Sequence, residues 1–95
     1  MKIEQIIREK QGTIIDVRSP MEFKEGNVEG SINIPLNEIQ NRLAEIKGMK
    51  APFVLCCASG GRSGMAQQLL SREGLECYNG GSWYDVNYFQ TQKSA

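Results

Sequence analysis

The sequence contains no histidine. That absence removes the serine–histidine–aspartate triad, the cysteine–histidine dyad, imidazole metal ligands and the ordinary proton shuttle of neutral pH. Chemistry in this chain has to run on cysteine, carboxylates, arginine, lysine, tyrosine or backbone amides. Cysteine is sparse too. Cys56, Cys57 and Cys77 are an odd count with no C-x-x-C pair, which argues against a disulfide scaffold and cannot supply a four-thiolate zinc site. An excess of charge of one sign is also missing, because 11 Lys and Arg balance 11 Asp and Glu. Proteins that bind nucleic acid or a membrane surface normally carry a basic stripe, so neither partner is expected. Long apolar runs are absent. Lys2, Glu4, Gln5, Arg8 and Glu9 interrupt the first fifteen residues, and no stretch approaches the roughly 20 apolar residues of a membrane span. The expectation is a reduced cytoplasmic protein, or a periplasmic one if a leader has been removed.

What is present is ordinary for a globular domain. The 95 residues are 40% apolar and 23% charged. A chain of this size predicts one domain over residues 1–95 with one modest core, burying roughly 60–65% of its unfolded surface.

Helix and strand patterns alternate along the chain. Ile3, Ile6 and Ile7 fall on one helical face, and Gly12 stops that helix. Residues 13–17 (TIIDV) read as a buried strand. Ser19-Pro20-Met21-Glu22 combines a cap, a proline suited to the first helical position and a capping-box glutamate. Residues 31–34 (SINI) predict a short strand. Ile39, Leu43 and Ile46 predict a helix capped by Asn37. Residues 53–56 (FVLC) form the most apolar strand. The helix that follows turns Met65, Leu69 and Leu70 inward and ends at Gly74. Residues 75–78 predict another strand, Gly80-Gly81 a turn, and Ser82 the cap of a last helix carrying Trp83, Val86 and Phe89. The tail, residues 90–95, is expected to fray. Such alternation predicts an α/β fold, a parallel sheet with helices on both faces. Ligands then bind at the carboxyl ends of the strands, where Asp16, Cys57 and Gly80 fall.

One segment carries chemistry. Cys57-Ala58-Ser59-Gly60-Gly61-Arg62-Ser63 joins the apolar strand to a helix. Small residues let successive N–H groups turn inward as an anion-binding nest, and the helix start adds its positive dipole end. A thiol at the start of such a loop is expected to ionise below the ~8.5 of free cysteine, with no general base. Arg62 adds charge at the rim. A charge of that sign at a helix start is locally unfavourable, which tilts Arg62 toward a functional role. Glycine-rich strand-to-helix turns also occur without function, and buried cysteines are often inert, so spacing alone leaves Cys57 open. Cys56 points to the opposite face of its strand and reads as core, as does Cys77. The loop lacks the lysine of a Walker motif.

Taken together, three segments resemble the single-domain rhodanese (thiosulfate sulfurtransferase) family. The first runs from Asp16-Val17-Arg18 through Glu22-Phe23 to Gly26-Asn27-Val28-Glu29-Gly30-Ser31-Ile32-Asn33-Ile34-Pro35. The second is the C-x-x-G-x-R-S loop at residues 57–63, and the third is Gly80-Gly81-Ser82-Trp83. The resemblance implies a rhodanese-like three-layer fold with a central parallel sheet of four to five strands. It implies Cys57 as the nucleophile that takes up a sulfane sulfur as a persulfide, and Ala58, Ser59, Gly60, Gly61, Arg62 and Ser63 as the loop that cradles the donor. Cyanide or a thiol would then collect the sulfur in a ping-pong cycle. The donor is a small anion, thiosulfate or a persulfide; no metal or organic cofactor is implied. Cys57 to Arg62 spans six residues, the spacing of sulfur-handling members. Related phosphatases and arsenate reductases have a loop one residue longer, which disfavours that chemistry here. Asn27 stands where the family usually has histidine and reads as structural.

Asp16 and Arg18 are expected beside the loop, either bracing it or forming an internal ion pair. Glu22 reads as a helix-cap partner and Trp83 as core packing that needs a hydrogen-bond acceptor. The rival reading from another class is a sulfur carrier or partner-binding module without turnover. A monomer is expected.

Overall fold

The computed structural model describes residues 2–92. Its strands are β1 (Thr13–Asp16), β2 (Ile32–Asn33), β3 (Phe53–Cys57) and β4 (Cys77–Ser82). They form one sheet in the order β2-β1-β3-β4, every pair parallel. The helices are α1 (Ile3–Arg8), α2 (Pro20–Glu25), α3 (Leu43–Lys47), α4 (Gly61–Arg72) and α5 (Trp83–Thr91).

A parallel sheet covered on both faces needs apolar residues at every strand position, alternating between two cores. β3 shows this fully: all five of its residues are buried. Phe53, Leu55 and Cys57 enter one core with Ile39, Ile46 and the α4 residues Ala66 and Leu70. Val54 and Cys56 enter the other with Ile6 and Ile7 of α1, Val28 and Val86 of α5. Each fully buried isoleucine, leucine or phenylalanine stabilises by about 1.5–3 kcal/mol. The three layers are therefore α1 and α5, the sheet, and α3 with α4, as the rhodanese-like α/β expectation requires.

Local chemistry sets the helix ends near the loop. Ser19 accepts from the N–H of Glu22, and the Glu22 carboxylate accepts from the N–H of Ser19, a complete capping box with Pro20 at the first position. Ser82 caps α5 by accepting from Tyr84 N–H.

Four local expectations are corrected. Residues 36–47 are not one helix: 3₁₀ turns at Leu36–Glu38 and Gln40–Arg42 precede a short α3. Arg42 leaves helical geometry at φ −115° and ψ 20°, and Ile39 and Ile46 on either side of this break are both fully buried. Met65 faces outward, 59% exposed. The buried face of α4 is Ser63, Ala66 and Leu70, because Ser63 is tied to the sheet and sets the helix rotation; Leu69 is half-buried. The last strand begins at Cys77 rather than Leu75 and runs through Gly80-Gly81 to Ser82. Leu55 pairs with Asn79 but Cys56 with Gly81, so Gly80 is the extra residue of a bulge. A Cβ on Gly80 would lie 2.8 Å from Val86 Cγ2, 2.9 Å from Val54 Cγ1 and 3.1 Å from Leu55 O. Glycine serves there for close approach of α5 to the sheet, not for a turn. Finally, α5 continues to Thr91, so residues 90–91 are helical; residues 93–95 of the expected tail lie outside the described residues.

Candidate active site

β1 and β3 are neighbours whose chains leave the sheet on opposite sides. After β1 the chain enters α2 and reaches Val28, in the α1–α5 core. After β3 it enters α4, in the other core. Such a switch point opens a crevice at the carboxyl ends of the strands, and Cys57 is the last residue of β3.

Cys57 is 1% exposed, while Ala58 and Ser59 above it are exposed. Gly60 precedes α4 at φ +100°, a left-handed conformation that a residue with Cβ adopts only at a cost. This turns the loop amides inward. Gly60 N–H donates to Cys57 Sγ at 3.0 Å and Ser63 N–H at 3.5 Å; Ser63 Oγ lies 3.4 Å from the sulfur. The twelve-residue α4 points its positive end at the same sulfur. Burial pushes the thiol up, but the Ser63 hydroxyl and N–H and the Ser59 and Gly60 N–H groups more than offset it, so Cys57 ionises below its ordinary value. The nest expected from the sequence therefore surrounds this sulfur with hydrogen bonds from Gly60 and Ser63.

Arg62 is held elsewhere. Its guanidinium donates to both oxygens of Glu22 at 2.7 and 3.0 Å, joining the start of α4 to α2. Glu22 thus does more than cap a helix. The hydrogen bonds from Arg62 and then from Ser19 bring its carboxyl down to about 2.

Asp16 and Arg18 form a buried ion pair, with Arg18 Nη2 at 2.7 Å from Asp16 Oδ2. Arg18 also donates to the carbonyls of Glu22 and Gly26 and lies 4.7 Å from the centre of the Trp83 ring. Its bonds run to α2, so the pair reaches the loop through Glu22 rather than by touching residues 58–63. Trp83 is half-buried, stacked on Tyr84. Asn27 donates to the Phe23 carbonyl at 2.8 Å and finishes α2, the structural role expected of it.

The other cysteines sit apart. Cys56 is in the α1–α5 core, where burial and the nearby Asp16 carboxylate push its thiol pKa strongly up and keep it protonated. Cys77 is buried against Gln67 O and Ser71 Oγ. Among the described residues no three His, Cys, Asp or Glu are placed to hold a metal ion, and no helix is long and apolar enough to cross a membrane.

Sequence reasoning missed Asn79. Its Nδ2 donates to Gly60 O at 3.0 Å, and its Oδ1 accepts from Ser63 Oγ at 2.6 Å and Gly81 N–H at 2.9 Å. A polar side chain just before a glycine pair was the available hint; the bulge that aims it was not legible.

Comparison with known proteins follows the same lines. The profile of the family described as Rhodanese-like domain matches residues 2–86. The Bacillus subtilis protein YqhL is 42% identical over 71 residues, covering 74% of this chain and 56% of that protein, so this chain spans little more than half of that relative. The thiosulfate sulfurtransferase PspE of Escherichia coli is 38% identical over 74 residues, covering 76% of this chain and 71% of that one. A solved structure of a rhodanese with anions from E. coli superposes with a TM-score of 0.70 at 35% identity, covering 77% of this chain and 88% of that one.

Proposed function

The chain belongs to the rhodanese-like family, and on that footing we propose that it is a sulfurtransferase that carries sulfur on Cys57 as a persulfide. The observation that carries this reading is the Gly60 N–H, 3.0 Å from Cys57 Sγ inside a loop of small residues. A thiolate held by amide donors attacks without a general base, which matches a chain without histidine.

In the first step the Cys57 thiolate attacks the sulfane sulfur of the donor. The donor's S–S bond breaks, and its electron pair leaves with sulfite or with the donor thiolate. Cys57 keeps the sulfane sulfur as a persulfide. In the second step cyanide or a thiol attacks the outer sulfur, and Cys57 leaves as a thiolate stabilised by the same amides. Ala58, Gly61 and Arg62 complete the wall around the donor. The Glu22 carboxylate neutralises Arg62, the one charged residue of the loop. A dianion such as thiosulfate gains little there, so a persulfide is the better donor.

The test is intact-protein mass spectrometry after incubation with thiosulfate or with a glutathione persulfide, beside Cys57→Ser. The expected result is a gain of one sulfur atom, faster with the persulfide, reversed by cyanide and absent in the variant. Loading retained in Cys57→Ser would move the site to Cys56 or Cys77. No loading from either donor would leave a partner-binding domain and overturn the reading. Steady release of thiocyanate separates a turning-over enzyme from a carrier.

A further inference from the structure

Asn79 makes three hydrogen bonds whose directions are fixed by chemistry. Its Oδ1 accepts from the N–H of Gly81 and its Nδ2 donates to the carbonyl of Gly60. A backbone N–H only donates and a carbonyl only accepts, so the amide orientation is settled. Oδ1 can then only accept from Ser63 Oγ, 2.6 Å away. The single hydroxyl proton of Ser63 therefore lies toward Asn79. Cys57 Sγ, 3.4 Å from the same oxygen, competes for that proton.

We infer that Asn79 is a positioning residue that withholds the Ser63 hydroxyl proton from Cys57 and so sets how readily the thiol ionises. In the thiol form the S–H donates to Ser63 Oγ, and Ser63 O–H donates to Asn79 Oδ1. When the thiol proton leaves for solvent, the Ser63 hydroxyl turns to the thiolate and Asn79 Oδ1 keeps only the Gly81 N–H. Ionisation thus costs one short hydrogen bond, a cost that vanishes if the acceptor is removed. The persulfide, whose inner sulfur bears no proton, leaves Ser63 with Asn79.

The other charged and titratable groups around Cys57 stand outside this exchange. Arg62 of α4 is paired to Glu22 of α2. The Asp16–Arg18 pair of β1 is closed on itself and on α2. Cys56 points to the other core, and from β4 the buried Cys77 bonds to α4.

This inference rests on Cys57 being the reactive thiol, and its test reads ionisation rather than sulfur transfer. The rate of Cys57 alkylation by iodoacetamide is followed against pH, with the site assigned by tandem mass spectrometry. Four proteins form the cycle: wild type, Asn79→Leu, Ser63→Ala and the double variant. Asn79→Leu also frees the Gly60 carbonyl and the Gly81 N–H, and the Ser63→Ala background measures those two losses alone. The difference between the two Asn79→Leu shifts is the quantity that decides. It is expected to be a lowering of the midpoint by about half to one pH unit, the size of one neutral hydrogen bond. Equal shifts in both backgrounds would make Asn79 a loop clamp only and overturn the inference. Should Asn79→Leu fail to fold, Asn79→Ala completes the same cycle. A wild-type midpoint at or above that of free cysteine would instead refute the reactive-thiol reading.

Discussion

Replacing Asp16 with alanine removes one half of the buried Asp16–Arg18 pair, and its consequence can be worked from the contacts. Asp16 is fully buried and Arg18 is 4% exposed. The carboxylate accepts from Arg18 N at 3.0 Å, from Nε at 3.0 Å to each oxygen and from Nη2 at 2.7 Å. After Asp16→Ala the guanidinium keeps the Glu22 and Gly26 carbonyls and the Trp83 face, all uncharged. An unpaired buried charge costs about 3–5 kcal/mol. A domain of this length is stable by about 5–14 kcal/mol, so at least about a fifth of its stability is expected to go. At about 4–8 °C per kcal/mol for a small domain, the melting temperature should drop by at least about 12 °C. The assay is urea and thermal unfolding of wild type, Asp16→Ala, Arg18→Leu and the double variant. Deleting both partners should cost much less than the sum of the single changes, with a coupling of about 2 kcal/mol or more. A loss below about 1 kcal/mol for Asp16→Ala would refute the argument, because it would mean that water or another anion reaches Arg18.

Three further outcomes are expected. Alkylation of wild-type Cys57 should reach half its limiting rate below the ~8.5 of a free cysteine, read as rate against pH, since the amides of Ser59, Gly60 and Ser63 outweigh burial. Glu22→Gln should remove a stabilisation that depends on pH. The Glu22 carboxyl is depressed in the folded protein from 4.5 to about 2, so its contribution is complete above about pH 4.5 and is lost as pH falls toward about 2; acid unfolding of the two proteins should converge at the low end. Gly80→Ala should destabilise by about 1–3 kcal/mol in urea, because its methyl would overlap Val86, Val54 and the Leu55 carbonyl.

Much of the fold is legible in the chain because the informative patterns are local. The β-branched Thr13-Ile14-Ile15 and the apolar run Phe53–Cys57 line a parallel sheet covered on both faces, and the second is buried at every position. Ser19, Pro20 and Glu22 build their capping box from atoms within one turn, so composition and spacing suffice. The C-x-x-G-x-R-S loop works in the same way: small residues permit the left-handed Gly60, and that conformation turns the amides toward Cys57. Met65, by contrast, lies on the outer face of its helix, because a tether from Ser63 to the sheet, not apolar spacing, sets the rotation of α4. β4 extends beyond its apolar residues because a bulge lets the glycines continue the strand to Ser82.

Composition and local pattern determined which residue types were available, the α/β alternation and the nest around one thiol. These depend on backbone conformation over a few residues. The pairings between segments far apart in the chain were decided by tertiary structure alone. Arg62 meets Glu22, 40 residues away, and Ser63 meets Asn79, 16 residues away. In both cases side chains whose own positions say nothing of a partner are brought within hydrogen-bond distance by strand order and by a one-residue bulge. Those two contacts decide that the Arg62 charge is neutralised by Glu22 and that the Ser63 hydroxyl faces Asn79.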